Sequence, residues 1–462
     1  MESRREFLRR LGLGVVGVAL GGCATNRSFA KRREPNIVFI LLDDMGWSDL
    51  PCYGNPFHET PHIDRLAKQG MRFTDAYAAC PVCSPTRASI MAGQYPARVG
   101  VTDFIPGHWR PSEKLRVPTN RTQYLPLEIV TIAEALQGAG YVTGHVGKWH
   151  LGGADHEPQM QGFDFVRLSG LNRTDKQVTA FTDSAIEFIE THSDRPFFLY
   201  LAHNTVHIPL EAPADLVEKY ENKPKPAAGV NNPIYAAMIE HVDANVGRIL
   251  TRLDELDLSD NTIVIFFSDN GGLRQMYTGE GPIVTTNAPL RGEKGTLYEG
   301  GIRVPLIVRW PGVVGPRSLC STPVTSVDFY PTLLEIAGAA GPAGQVLDGQ
   351  SLIPLLRQKD PFDDRALCWH YPHYHHSTPA GAIREGDWKL IEFFENGASQ
   401  LYNLRDDPGE QTDLSVVSPR KALELQIKLA RWRRSVGAAM PEINPYFDPA
   451  RRHEWGAHPD RQ

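Results

Sequence analysis

The residues best equipped for chemistry open the run Cys83-Ser84-Pro85-Thr86-Arg87. Pro85 suits the first position of a helix, where its missing N–H costs nothing. Ser84 then suits the N-cap. This spacing predicts a thiol at the mouth of a helix whose unpaired N–H groups attract anions. Arg87 adds a planar cationic fork one turn further on. A nucleophile held beside such a helix end implies an anionic substrate. The spacing Cys80-Pro81-Val82-Cys83 also reads as a redox dithiol, although no small thioredoxin-like unit accompanies it.

Carboxylates form the second set. Asp43 and Asp44 follow the apolar run 36–42, and Asp269 and Asn270 follow the run 262–267 and Ser268. Adjacent strand residues face apart, but where the chain curls at a strand end both carboxylates can turn to one cation. Oxygen ligands alone select a hard dication, Ca²⁺ or Mg²⁺, over zinc. Taken singly, Asp43-Asp44 fits a solvated turn, and Asp269-Asn270-Gly271-Gly272 fits a tight one. Two further apolar runs end in cations: 141–146 leads to Lys148 and His150, and 196–202 leads to His203 and His207. His145 and His203 read as structural.

These groups need elements to hold them. Continuous β-branched and aromatic runs suit strands buried on both faces of a parallel sheet. Polar groups past their carboxyl ends mark the ligand edge of an open α/β sheet. Residues 60–70, 128–138, 180–192 and 235–256 carry apolar spacing near 3.6 and predict helices. Alternating strands and helices over residues 35–345 predict a large α/β domain whose mostly parallel sheet is flanked by helices. Residues 346–445 differ. Short strand-like pieces at 366–370, 381–384, 388–392 and 400–403, then a helix at 420–436, predict a small C-terminal α+β domain with an antiparallel sheet. A polar, irregular tail, 446–462, closes the chain.

The pattern Cys83-x-Pro85-x-Arg87, continued by Ala88-Ser89-Ile90-Met91-Ala92-Gly93, resembles the signature of the type I sulfatases. Segment 290–305, with Glu299-Gly300-Gly301-Ile302-Arg303-Val304-Pro305, is similar to the same family. The resemblance implies an alkaline phosphatase-like fold and conversion of Cys83 to formylglycine by a formylglycine-generating enzyme. It implies Ca²⁺ held by Asp43, Asp44, Asp269, Asn270 and an oxygen of the converted residue 83. A hydrated aldehyde has two hydroxyls: one attacks sulfur, and loss of the second proton expels sulfate. By resemblance, Arg87 and Lys148 hold the hydrate and sulfate, and His150 takes the proton of the elimination. His207 and Lys294 contact the sulfate and the leaving oxygen. In the family the small domain borders the cleft. His370 and His373, with His108 and Arg110 in a second loop, are the candidate substrate contacts. The expected substrate is a sulfated glycan or small sulfate ester, with exo action on a galactose-type sugar. The alternatives are a phosphonate or phosphate diester hydrolase of the same superfamily and a non-catalytic glycan-binding lipoprotein.

Residues 1–23 read as a targeting segment. Ser3-Arg4-Arg5-Glu6-Phe7-Leu8 resembles a twin-arginine export signal, and Leu20-Gly21-Gly22-Cys23 a lipobox that would leave Cys23 lipidated. A generic basic signal and a plain cleavage region remain open alternatives. The expected location is outside a bacterial cytoplasm, in the periplasm or on a membrane through a lipid anchor. Removing residues 1–22 takes away four Arg and two Glu, so the net charge moves from −6 to −8. That acidity argues against nucleic acid as a partner. It also means that attraction of a sulfated substrate must come from local cations. A Cys52–Cys80 disulfide is compatible with export.

Overall fold

The computed structural model describes residues 34–456, apart from 171–173, 228, 277 and 360–361. The export signal and Cys23 lie outside the described residues.

Eight strands form one sheet. Its order is Ser318–Cys320, Met71–Phe73, Leu306–Arg309, Thr262–Ser268, Asn36–Leu42, Phe197–Ala202, Val142–Gly147, Phe165–Leu168. Only Leu306–Arg309 runs antiparallel to its neighbours. All seven residues of Asn36–Leu42 are buried because both faces of the strand are covered. Ile37, Phe39 and Leu41 pack with helices Cys83–Ala92, Ile132–Gly138 and Phe329–Ala337. Val38, Ile40 and Leu42 pack with Pro61–Gln69, Val178–Thr191 and Pro233–Glu255 on the other face. Each buried side chain of this size contributes about 1.5–3 kcal/mol, so the central strand is firmly fixed. The register sets Leu42 opposite Ser268, and Ala202 opposite both Leu41 and Gly147. The carboxyl ends of four strands therefore meet at one edge.

Local chemistry sets the helix boundaries. The helix expected from residue 128 begins at Ile132, because Thr131 and Glu134 form a reciprocal capping box. Asn232 caps the helix Pro233–Glu255 through Oδ1, which accepts from the backbone of Ile234 and Tyr235.

The four-stranded antiparallel sheet comprises Ala366–Tyr371, Ala380–Glu385, Trp388–Phe393 and Ser399–Asn403 in sequential order. One face, with Ile383, Leu390 and Leu401, packs on Leu425 and Leu429 of helix Pro419–Ser435. The other, with Trp369, Tyr371 and Tyr402, packs on Tyr77, Val82, Leu297 and Ile302 of the large unit. The small sheet thus backs the segment that carries Lys294. The tail after residue 446 has neither helix nor strand among the described residues, yet it is tied down. Gly456 N donates to Trp109 O at 2.8 Å, and Trp455 stacks on His108 at 4.3 Å. Cys52 and Cys80 are both free thiols.

Candidate active site

The helix carrying the thiol starts two residues earlier than Ser84 and Pro85 suggest. Cys83 is its first residue, and Val82 is an N-cap without a side-chain bond. Ser84 Oγ is engaged elsewhere, accepting from Ile105 N at 3.0 Å. Pro85 therefore falls at the third position, where its missing N–H still costs no hydrogen bond. All ten residues of Cys83–Ala92 are buried, so the thiol opens an internal helix. Burial pushes the Cys83 thiol up, against the pull of Lys148 and Lys294, so it stays protonated and is a poor thiolate.

Asp43 and Asp44 reach one place because the chain turns sharply between them. Asp44 has φ +65°, a left-handed conformation costly for a side chain other than glycine. Ligand atoms of Asp43, Cys83 and Asp269 lie within 4.8 Å of one another, as do those of Asp43, Asp44 and His207. Gly271 follows because nothing larger fits: a Cβ there would lie 1.9 Å from Gly300 O. Asp43 Oδ1, Asp44 Oδ2 and Asn270 Oδ1 are buried without a hydrogen-bond partner. Buried polar atoms are rarely left unpaired. Three such oxygens in an acidic cluster are what a hard dication would satisfy, so the residues fit one.

Fixed cations surround the carboxylates. Arg87 donates through Nε to Asp269 Oδ2 at 2.9 Å and through Nη1 to Lys148 O at 2.8 Å. Lys148 Nζ lies 2.5 Å from Asp43 Oδ2, and Lys294 Nζ lies 2.6 Å from Asp44 Oδ1. Burial raises the proton affinity of Asp43, but Lys148, His207, Arg87 and Lys294 outweigh it and hold the carboxyl well below the usual range. Burial works against the charge on Lys294, and Asp44, Cys83 and Asp43 more than restore it.

The two histidines have defined tautomers. His150 Nε2 faces Ile105 O at 2.5 Å and must donate there. Its Nδ1 lone pair therefore faces Cys83 Sγ at 3.4 Å. Burial first, then Lys148, keeps the ring neutral. His207 Nδ1 donates to Ile208 O at 2.6 Å, which leaves Nε2 as the acceptor, 3.8 Å from Asp44 Oδ2. Burial and then Lys294 disfavour a second proton on this ring. His150 also has positive φ, +59°.

A cavity of about 270 Å³ opens over Asp43, Lys148 and His207. Its wall includes Ser169, Gln177 and Asn204, which the sequence reading did not single out. The structure therefore brings Asp43, Asp44, Cys83, Arg87, Lys148, His150, His207, Asp269, Asn270 and Lys294 together. The four candidate substrate contacts stand apart from that cavity. His370 is buried with Nε2 donating to Ala439 O at 2.8 Å, and His373 is buried against Thr102 Oγ1 at 2.9 Å. Both are committed to packing: His370 lies within strand Ala366–Tyr371, and His373 just past its end packs on Tyr371 at 5.4 Å between ring centroids. His108 is buried against Trp455, and Arg110 lies on the outer rim. His108 meets His375 edge-on at 4.9 Å, and the Arg110 guanidinium lies 4.1 Å over Trp455.

Carboxylates with unpaired oxygens, faced by immobile cations at the carboxyl edge of an α/β sheet, suit a hydrolase of anionic esters. Comparison with known proteins narrows that class. A profile of the Sulfatase family matches residues 35–339, and one described as N-sulphoglucosamine sulphohydrolase, C-terminal, matches residues 292–434. A sulfatase of Formosa agariphila is 34% identical, covering 93% of this chain and 94% of that protein. Human arylsulfatase A is 32% identical, covering 83% and 84%. The structure of Ps i-CgsB in complex with k-i-k-neocarrahexaose matches with TM-score 0.75 at 29% identity, covering 90% of this chain and 95% of that one. The chain belongs to the sulfatase family, of the alkaline phosphatase-like superfamily, and is a hydrolase of sulfate esters.

Proposed function

We propose that this sulfatase acts on sulfated carbohydrates, with residue 83 converted to formylglycine and Ca²⁺ held by Asp43, Asp44, Asp269 and Asn270. The observation that carries the reading is the set of three unpaired oxygens, Asp43 Oδ1, Asp44 Oδ2 and Asn270 Oδ1, buried around the Cys83 helix mouth. The converted side chain supplies an oxygen nucleophile and a way to release sulfate without attack by a separate water, and the cation favours deprotonation of that oxygen.

The remaining roles follow from this chain's own geometry. Asp43, Asp44 and Asp269 are matched by Arg87, Lys148 and Lys294, so a bound dication leaves the pocket positive and receptive to an anion. Arg87 cannot swing, because Asp269 and Lys148 O hold it, and it presents a preorganised positive edge. The free Nδ1 of His150 is placed to take a proton from residue 83. His207 Nε2 faces the leaving side. An anionic ester docked beside it adds to the negative charge of Asp44 and raises the proton affinity of the ring. Lys294 stays charged and offsets the developing alkoxide.

A carbohydrate ester is supported by the polar cavity wall and by the oligosaccharide in the Ps i-CgsB complex. The small cavity supports exo action on a terminal ring, galactose-type in this proposal. Arg110 then serves the outer rim, with His108 packed behind it on His375, at a second hollow of about 350 Å³ lined by Arg110, Glu293, His375, His376 and Arg452. Export through the twin-arginine route and lipidation at Cys23 complete the proposal. Membrane fractionation of wild type and Cys23→Ala tests the anchor.

The main experiment co-expresses the chain with a formylglycine-generating enzyme. Mass spectrometry of the residue-83 peptide is paired with sulfate release from 4-nitrophenyl sulfate and from position-defined sulfated sugars. An aldehyde at residue 83 and release from at least one sugar support the reading. Turnover of phosphonate or phosphate diesters in preference to sulfates contradicts it.

A further inference from the structure

The wall of the catalytic cavity contains a feature that the sulfate chemistry does not use. Lys176 and Gln177 have φ of +55° and +62°, a consecutive left-handed pair without glycine. Such strain persists only where the surroundings enforce it. Asp175 enforces it. Its Oδ1 accepts from Gln177 N at 2.9 Å, and its Oδ2 accepts from Thr179 N at 3.2 Å. Gln177 is the N-cap of helix Val178–Thr191, yet its side chain caps nothing. Helix N-caps are ordinarily Ser, Thr, Asp or Asn in extended conformation, so Gln177 breaks both preferences. With Asp175 doing the capping, the Gln177 carboxamide belongs to the cavity. Its Oε1 accepts from Gly170 N at 2.9 Å, and its Nε2 donates to no described residue. Beside it, Asn204 Nδ2 donates to Ser169 Oγ at 3.0 Å. The Asn204 backbone O accepts from the N–H of His207 at 3.1 Å, which ties this wall to the catalytic group.

We infer that Gln177 and Asn204 are specificity-determining residues, two amides of the cavity wall that hydrogen-bond the ring hydroxyls of the sugar bearing the scissile sulfate. The inference rests on the sulfatase reading and deepens it. Lys176 lines the cavity as well, but Gln177, Asn204 and Ser169 are uncharged and suit hydroxyls. The two amides and a hydroxyl can both donate and accept, and Asp175 occupies the exposed N–H groups of the helix end that would otherwise draw an anion. A site built to pair with a hydroxyl also rejects an analogue that lacks it, because its own polar groups are then left unpaired.

The test compares kcat/KM for galactose 6-sulfate and N-acetylgalactosamine 6-sulfate with that for 4-nitrophenyl sulfate, which has no ring hydroxyls. Gln177→Gly keeps the left-handed backbone accessible and removes only the amide. Asn204→Ala is an independent second variant, and Gln177→Asn is the conservative one. The expected result is a fall of about tenfold or more in the sugar-to-aryl ratio for Gln177→Gly and Asn204→Ala, mostly in KM, with partial recovery in Gln177→Asn. A ratio unchanged within about twofold, or equal losses on both substrate types, overturns the inference. If wild type cleaves the aryl ester and neither sugar, this inference fails and the sulfatase reading stands. If it cleaves neither type, both fail.

Discussion

Where the small sheet meets the large one, Asp75, Tyr77, Glu299, Arg384, Lys389 and Glu410 form a second buried charge cluster. Lys389 is fully buried and lies 2.8 Å from Glu299 and 2.9 Å from Glu410. Every carboxylate oxygen of Asp75 and Glu299 accepts a hydrogen bond, as does Glu410 Oε2, and Glu410 Oε1, which accepts none, has the Lys389 ammonium at 2.9 Å. The catalytic cluster is as deeply buried, but three of its oxygens have no hydrogen-bond partner, and Asp44 Oδ2 has His207 Nε2 no nearer than 3.8 Å. The two are neighbours: Glu299–Ile302 belongs to the closed cluster, and Gly301 O accepts from Gly271 N beside the open one at 3.0 Å. Closed networks fix structure, because any broken member leaves a buried charge stranded. Open networks hold positions for a ligand. Burial alone does not separate structural from functional charge; here the acidic oxygens left without a hydrogen bond or a close cation mark the open cluster.

Substitutions in the two clusters should therefore fail in different ways. The largest effect is expected at the open cluster. Cys83→Ala should lower sulfate release by about 10⁴-fold or more, because no other group there can act as the nucleophile. Its melting temperature should stay close to wild type, and a variant that keeps appreciable turnover breaks the distinction. At the closed cluster, Lys389→Ala strands two carboxylates and should cost about 3–5 kcal/mol in a denaturant titration. The protein that remains folded should still release sulfate. Unchanged stability would mean that the cluster does not hold the two sheets together.

Smaller effects sharpen the contrast. Calcium should stabilise the wild type, by about 2.7 kcal/mol at a hundredfold excess over its dissociation constant. Asp269→Asn should abolish most of that gain, while Lys389→Ala should keep it, as read by melting temperature against calcium. The smallest effect concerns pH. Burial, only partly offset by Lys389, pushes the Glu410 carboxyl up to about 7 from an ordinary 4.5. The folded protein then holds that proton more tightly than the unfolded chain. The resulting stability is fully present below pH 4.5 and is lost as pH rises through 7. Glu410→Gln should flatten the decline in melting temperature between about pH 5 and pH 8. Parallel curves for the two proteins would contradict the assignment.

Much of the open cluster was legible because its members end apolar runs. Asn36–Leu42 and Thr262–Ser268 announce themselves as doubly buried strands, and polar residues directly after such strands fall on the ligand edge of the sheet. The closed cluster was not legible. Glu299, Lys389 and Glu410 are scattered single charges, and only the packing of the small sheet on Tyr77 and Ile302 brings them together. Gln177 was missed because its signal is a left-handed backbone at a residue that does not announce one, and Asn204 because a single amide after a strand forms no motif. His370 and His373 misled because the aromatic, His-rich run 369–376 reads as a sugar-facing loop, whereas His370, His373 and Tyr371 fold inward to satisfy buried partners. The start of the catalytic helix was misplaced because Ser84 has the composition of a cap while its hydroxyl serves Ile105.

The central claim is that the unpaired oxygens around residue 83 await a dication without which sulfate esters are not cleaved. Its most direct test is sulfate release by the converted protein after exhaustive chelation, followed by titration with calcium. The account predicts loss of turnover on chelation and saturable recovery as calcium returns. Undiminished release from the metal-free protein would contradict it.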